Sequence, residues 1–299
     1  LMADIDLENV RIHPISEFGP FTGSFDGNGH KIINVSIYEP AGSYTGLFGR
    51  VGAGAEIKNL DIRNVNIVGG DYTGGLIGKN DGGTISNCGT TGKVDGFTCV
   101  GGLIGKSTGT VDRCYSKADT TAWEDMTSCV GGLIGQSGNS ITYSYASGAA
   151  TCRYSGYSTA GGLVGRDVPD SNIQYCYSCG YVSAEGKSVK KGGLLGFIKS
   201  NTYRISWNKT GYHVSNSYWD RESSGMTTSA GSTTTDPNKG AIGRTTAQMQ
   251  TPSTYKRWSI GEPKWPGIWT MYPPSYPCLT WQLDIPAPNV ISMTQANAN

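Results

Sequence analysis

A four-residue unit, Gly-Leu-apolar-Gly, recurs six times in this chain, and its spacing restricts the fold more than any other feature. The copies are Gly46-Leu47-Phe48-Gly49, Gly75-Leu76-Ile77-Gly78, Gly102-Leu103-Ile104-Gly105, Gly132-Leu133-Ile134-Gly135, Gly162-Leu163-Val164-Gly165 and Gly193-Leu194-Leu195-Gly196. Their first glycines stand 29, 27, 30, 30 and 31 residues apart, and five of the six follow another glycine. A second patch recurs some ten residues after a copy: Ile85-Ser86-Asn87-Cys88, Val111-Asp112-Arg113-Cys114, Ile141-Thr142-Tyr143-Ser144, Ile173-Gln174-Tyr175-Cys176 and, later, Val214-Ser215-Asn216-Ser217.

The period selects the architecture. A helical repeat would space its apolar residues by three and four, and these runs do not. A propeller blade needs about 40 to 50 residues. A period near 30, with short apolar runs broken by Gly, Asn and Ser, fits one coil of a parallel β-helix. A single coil cannot bury its inner face, but stacked coils can, each strand pairing with the next at about 4.8 Å. The expected fold is therefore all-β: a right-handed parallel β-helix of about eight coils, about 35 to 40 Å long.

Stacking converts the repeats into columns. Leu47, Leu76, Leu103, Leu133, Leu163 and Leu194 form an inward ladder, with Phe48, Ile77, Ile104, Ile134, Val164 and Leu195 beside it. Adjacent residues on a flat strand point to opposite faces. The flanking glycines are therefore expected to bend the chain at a corner whose backbone only glycine tolerates. Cys88, Cys114, Ser144, Cys176 and Ser217 form a column of small residues, expected in the interior.

Composition narrows the function classes. Lys plus Arg is 24 against 23 Asp plus Glu, so charge gives no reason to expect nucleic acid as a partner. No apolar run is long enough to span a membrane as a helix. The eight cysteines include Cys176-Tyr177-Ser178-Cys179, but with three histidines nothing completes a Cys/His metal set. No cofactor is expected. The polar, Thr-rich composition suits an extracellular or cell-surface setting, where disulfides persist. Cys99 and Cys129 both precede Val-Gly-Gly-Leu-Ile-Gly, so they should stack in consecutive coils and form a disulfide. Cys88 and Cys114 are similarly placed. The first residues, Leu1-Met2-Ala3-Asp4-Ile5-Asp6-Leu7, read as mid-strand, so a processed or truncated beginning is expected.

The repeat resembles the GLUG-motif family, whose members include large secreted and surface proteins of bacteria. Some are adhesins, and some are non-catalytic parts of immunoglobulin A peptidases. The resemblance implies a β-helix but no single activity, and the peptidase signature His-Glu-x-x-His is absent. Phe21-Thr22-Gly23-Ser24-Phe25-Asp26-Gly27-Asn28-Gly29-His30 resembles the usual opening of such arrays, and Ser215-Asn216-Ser217-Tyr218-Trp219-Asp220 the usual close. The expected organisation is N-terminal coils over 1–45, repeats over 46–222 and a Ser/Thr/Gly-rich loop over 223–240. A Trp-rich C-terminal cap over 241–285, opening with a short helix near 245–250, and a tail over 286–299 complete the chain.

Three sets of residues are candidates for a site. Arg50, Lys79, Lys106 and Arg166 follow four of the motif copies and should form a cation column, with Gln136 and Phe197 in the other two places. Like charges at coil spacing repel unless acids such as Asp81 and Asp167, or a bound linear anion, neutralise them. Tyr115, Tyr145, Tyr177 and Tyr218 stand one place after the small-residue column. They are expected to face outward, either as an exposed aromatic ladder for sugars or a partner, or as rings stacked over the sheet. Asn34 and Asn208 match the glycosylation pattern. Asp26 and His30 could be an acid/base pair as in sugar-cleaving β-helices, or parts of a glycine turn. The reading that follows is a non-catalytic structural or adhesive module, partnered by its own copies in a polymer or by surface glycans or proteins. The alternatives are a polysaccharide lyase, a glycoside hydrolase or a glycan-binding module on the same fold.

Overall fold

The structure is a computed structural model that describes residues 1–16, 19–123, 127–153, 156–168, 171–198, 213–231, 241–261 and 267–283. The chain divides into two compact units, Leu1–Met249 and Gln250–Asn299. The first is an all-β parallel solenoid. Its third coil illustrates the path. After the corner at Gly102-Leu103, strand Ile104–Ser107 runs along one sheet and Thr110–Asp112 begins the next. The chain bends at Arg113, continues as Tyr115–Ala122, and closes the circuit with Thr127–Gly131. Along Tyr115–Ala122 the inward residues Ser116, Ala118, Thr120 and Ala122 are buried, while Lys117 and Asp119 face solvent, the alternation a half-buried strand requires.

Register is kept from coil to coil. Phe48 pairs with Ile77, Ile77 with Ile104, and so on through Ile134, Val164 and Leu195, in a six-stranded motif sheet. About six turns form rather than the expected eight, because the outermost layers pair through short strands and isolated bridges and do not complete full coils. The longest ladder runs Ile5, Ile32, Ile62, Thr90, Ser116, Ala146, Ser178, Trp219, Gly243. Its nine positions span about 38 Å at the usual strand spacing. Beyond the sixth motif copy, Ala230 bridges Leu195 in parallel, and the Gly193 and Leu194 amides donate to the Thr228 and Ser229 carbonyls. Thr228-Ser229-Ala230-Gly231 is thus a degenerate extra rung inside the segment expected to be a loop.

Both apolar columns are core. Each motif Leu and its apolar neighbour is at most 3% exposed. The motif glycines are needed for a reason other than the one expected. None has a positive φ; the described glycines in that region are Gly29, Gly54, Gly82, Gly92, Gly186 and Gly225. What excludes a side chain is space. A Cβ on Gly75 would stand 2.5 Å from the Gly102 carbonyl oxygen, and one on Gly105 2.6 Å from the Thr73 amide nitrogen. The corner passes backbone against backbone. Left-handed backbone falls instead on a different column: Asn59, Asn87, Arg113, Tyr143, Tyr175 and Asn216, with φ between 47° and 55°. Asparagine suits that region; the other three are held there by neighbours, and the Tyr143 and Tyr175 rings stack at 5.0 Å.

The small-residue column is interior, and Cys88, Cys114 and Cys176 are buried free thiols. Burial pushes the Cys176 thiol up to about 12, so it packs as a small neutral group. Cys99 and Cys129 pair in register and form the disulfide, with Cα atoms 4.6 Å apart. In the second unit, Ile260–Gly261, Trp269–Thr270 and Cys278–Leu279 make a small sheet. The Trp258 ring packs 4.6 Å from Trp269 and 4.8 Å from Tyr255. A short helix, Thr246–Met249, forms near the place expected. No helix among the described residues is long and apolar enough to cross a membrane.

Candidate functional site

The cation column forms in register: Arg50, Lys79, Lys106, Gln136, Arg166 and Phe197 are successive partners in the motif sheet. A second outward column faces it across the motif corner, built from the residue four places before the motif Leu: Tyr72, Cys99, Cys129, Thr159 and Lys190. Tyr44 extends it, its ring stacked on Tyr72 at 5.8 Å. The sequence reading missed this column, although its fixed offset from the motif was visible. The two columns touch along the groove. Arg50 and Lys79 lie 5.2 and 5.6 Å from the Tyr44 ring, Lys106 lies 5.2 Å from Tyr72, and Lys190 lies 3.7 Å from Phe197. Gln136 Oε1 is 3.7 Å from Cys99 Sγ.

Carboxylate pairing of the column is confined to one end of the groove among the described residues. Asp81 takes Arg50 at 2.9 Å and Lys79 at 2.8 Å. Burial alone would raise its carboxyl, but hydrogen bonds from Lys79 and Arg50 outweigh that and hold it below the ordinary range. Asp167 does not play this part. It follows Arg166 by one place and so points to the opposite face, into an interior polar column of Asn80, Ser107, Ser137 and Asp167. Ser171 donates to it, and burial pushes its carboxyl up to about 7. Arg166 and Lys106 therefore have no carboxylate within ion-pair distance among the described residues. Burial, with Lys79 and Arg166 nearby, lowers the Lys106 ammonium from its ordinary value.

The tyrosine column is not an exposed platform. Tyr115, Tyr145, Tyr177 and Tyr218 are 1 to 6% exposed. Rings stack along it, 5.4 Å between Tyr115 and Tyr145 and 4.8 Å between Tyr145 and Tyr177. Tyr115 Oη donates to Asp61 at 2.6 Å. Rings repeating at coil spacing cover one another and the sheet beneath, and leave no face for a ligand.

Asp26 and His30 are not paired with each other. The Asn28 amide and Asn59 Nδ2 both donate to Asp26, which lowers its carboxyl, and His30 Nδ1 lies 3.1 Å from Asp4. The Asn34 side chain is engaged on both sides: its Nδ2 donates to Asp6 at 2.8 Å, and its Oδ1 accepts from Asn64. Asn208 lies outside the described residues. Among the described residues no three His, Cys, Asp or Glu side chains are grouped to hold a metal.

Comparison with known proteins agrees with the repeat reading. The family model for the GLUG motif matches residues 69–95 and 126–151, so the chain carries GLUG-motif repeats. Over 85 residues it is 42% identical to halomucin of Haloquadratum walsbyi, a stretch that is 28% of this chain and 1% of halomucin. Among solved structures, a candidate immunoglobulin A1 protease of Bacteroides ovatus is similar, with a TM-score of 0.57 and 18% identity over 94% of this chain and 85% of that one. That likeness is one of fold.

Proposed function

We propose that this chain is a non-catalytic structural or adhesive module of an extracellular or cell-surface protein. The observation that carries the reading is the unbroken parallel register of the motif sheet. Each coil makes its hydrogen bonds and buries its apolar pair against its neighbours, so the product is a stiff rod suited to spacing or display. The Cys99–Cys129 bridge between consecutive coils supports an oxidising compartment. The resemblance to a stretch of halomucin is consistent with a repeat segment in a much longer chain. Outward columns beside the motif corner supply the surface such a module would use.

The test is direct. Purified protein is incubated with neutral and acidic polysaccharides, and new reducing ends and unsaturated uronate are measured. No release is expected, and micrographs of the same sample should contain rods or end-to-end assemblies. Turnover lost in Asp26→Asn or His30→Gln would overturn the reading in favour of a carbohydrate-active enzyme.

A further inference from the structure

At its C-terminal end the groove holds a cavity of about 210 Å³, lined by Tyr157, Thr159, Arg166, Ser188, Lys190 and Phe197, equal in volume to the one beside Tyr44 and Arg50 at the other end. Its chemistry is unlike the rest of the groove. At the opposite end Asp81 already pairs with both Arg50 and Lys79. Here two cations line one cavity, and neither has a carboxylate partner among the described residues. Arg166 Nε is buried and has no acceptor, as is Arg50 Nε at the other end, but only the Arg166 guanidinium also lacks a carboxylate partner among the described residues. A buried donor without an acceptor is costly, so it invites an anion that can supply one. Phe197 replaces the cation at this rung and is partly covered by Lys190, while Tyr157 is 66% exposed on the rim. Ser188 and Thr159 add hydroxyls.

We propose that this cavity binds one acidic sugar residue of a glycan, its carboxylate taken by Arg166 and Lys190 and its ring face laid on Tyr157. A planar guanidinium matches a carboxylate, and an aromatic rim matches the apolar face of a pyranose. The volume is below that of a drug-sized cleft, which suits one residue of a longer chain running along the groove. An acidic peptide would supply the carboxylate but give Tyr157 no ring to cover. The proposal deepens the adhesive reading and rests on it. A failure here leaves the rod as a purely structural module, because the turnover assay and micrographs above do not depend on this cavity.

The test is calorimetric titration of the full chain with trigalacturonate, its neutral galactose counterpart, sodium sulfate and a Glu-rich peptide. The expected result is binding of trigalacturonate at least tenfold tighter than of the neutral sugar or the peptide, weakening as salt rises. Arg166→Gln and Lys190→Gln should each reduce it about tenfold with the thermal transition unchanged. Tyr157→Ala should weaken trigalacturonate but not sulfate. Equal binding of the Glu-rich peptide, equal binding of the neutral sugar, or insensitivity to Arg166→Gln and Lys190→Gln would each overturn the proposal. So would the absence of trigalacturonate binding to protein whose thermal transition is intact.

Discussion

Reducing the Cys99–Cys129 bridge should loosen the rod at its centre by a calculable amount. The two residues are 30 apart in sequence and face each other in register on consecutive coils. The bridge therefore closes a loop of about one coil in the unfolded chain. Loop-closure entropy for that length gives about 3.5 kcal/mol at room temperature. In a solenoid this stabilisation is local, because each coil is held only by its neighbours. Spread over a unit of this size it corresponds to a rise in melting temperature of roughly 7 °C. The assay is a thermal transition followed by near-ultraviolet circular dichroism, with and without a phosphine reductant, beside a Cys99→Ala/Cys129→Ala variant. The wild-type transition should fall on reduction, and the double variant should melt low and ignore the reductant. A wild-type transition that does not move refutes the reasoning, as does a double variant that still responds. Peptide mapping that finds both thiols free would remove its premise.

Other perturbations read different parts of the structure. Asp167 is held near pH 7 by burial, well above the ordinary 3.8. The folded state therefore binds this proton more tightly than the unfolded state does. Its contribution is present at acid pH and lost as pH rises through about 7, on the order of 3 kcal/mol between pH 5 and 8. Asp167→Asn should remove that slope in urea titrations, and an unchanged slope would contradict the assignment. Leu133→Ala, at a fully buried motif position, should cost about 3 to 5 kcal/mol in the same titration; a cost under 1 kcal/mol would mean that the motif Leu is not core. Gly105→Ala places a Cβ 2.6 Å from the Thr73 amide nitrogen. It should destabilise by about 1 to 3 kcal/mol or more, whereas a stabilised variant would refute the steric role of the motif glycines.

Much of this was legible in the chain because a solenoid is nearly one-dimensional. Residues that stack are those at equal offsets from the repeat, so the Leu column, its apolar neighbour, the small interior column, the cation column and the Cys99–Cys129 pair could all be read from spacing. The same arithmetic also contained the column running from Tyr72 to Lys190, which was overlooked because its residue types differ from coil to coil. The ends were harder. There the repeat degenerates, as in Thr228-Ser229-Ala230-Gly231, and about six turns stood where eight were expected.

The recurring Gly-Leu-apolar-Gly unit thus determined the fold, the core and the neighbours of each residue along the stack. Offsets along a strand set those, since pairing at one rung fixes the next. Only the tertiary structure decided what lies on either side of a column. It covered the tyrosines with one another and made the motif glycines a matter of space. It also brought Arg166, Lys190 and Phe197 around one cavity. Those outcomes depend on the angle at which two sheets meet and on which side chains bridge that corner, and a repeat period carries no record of either.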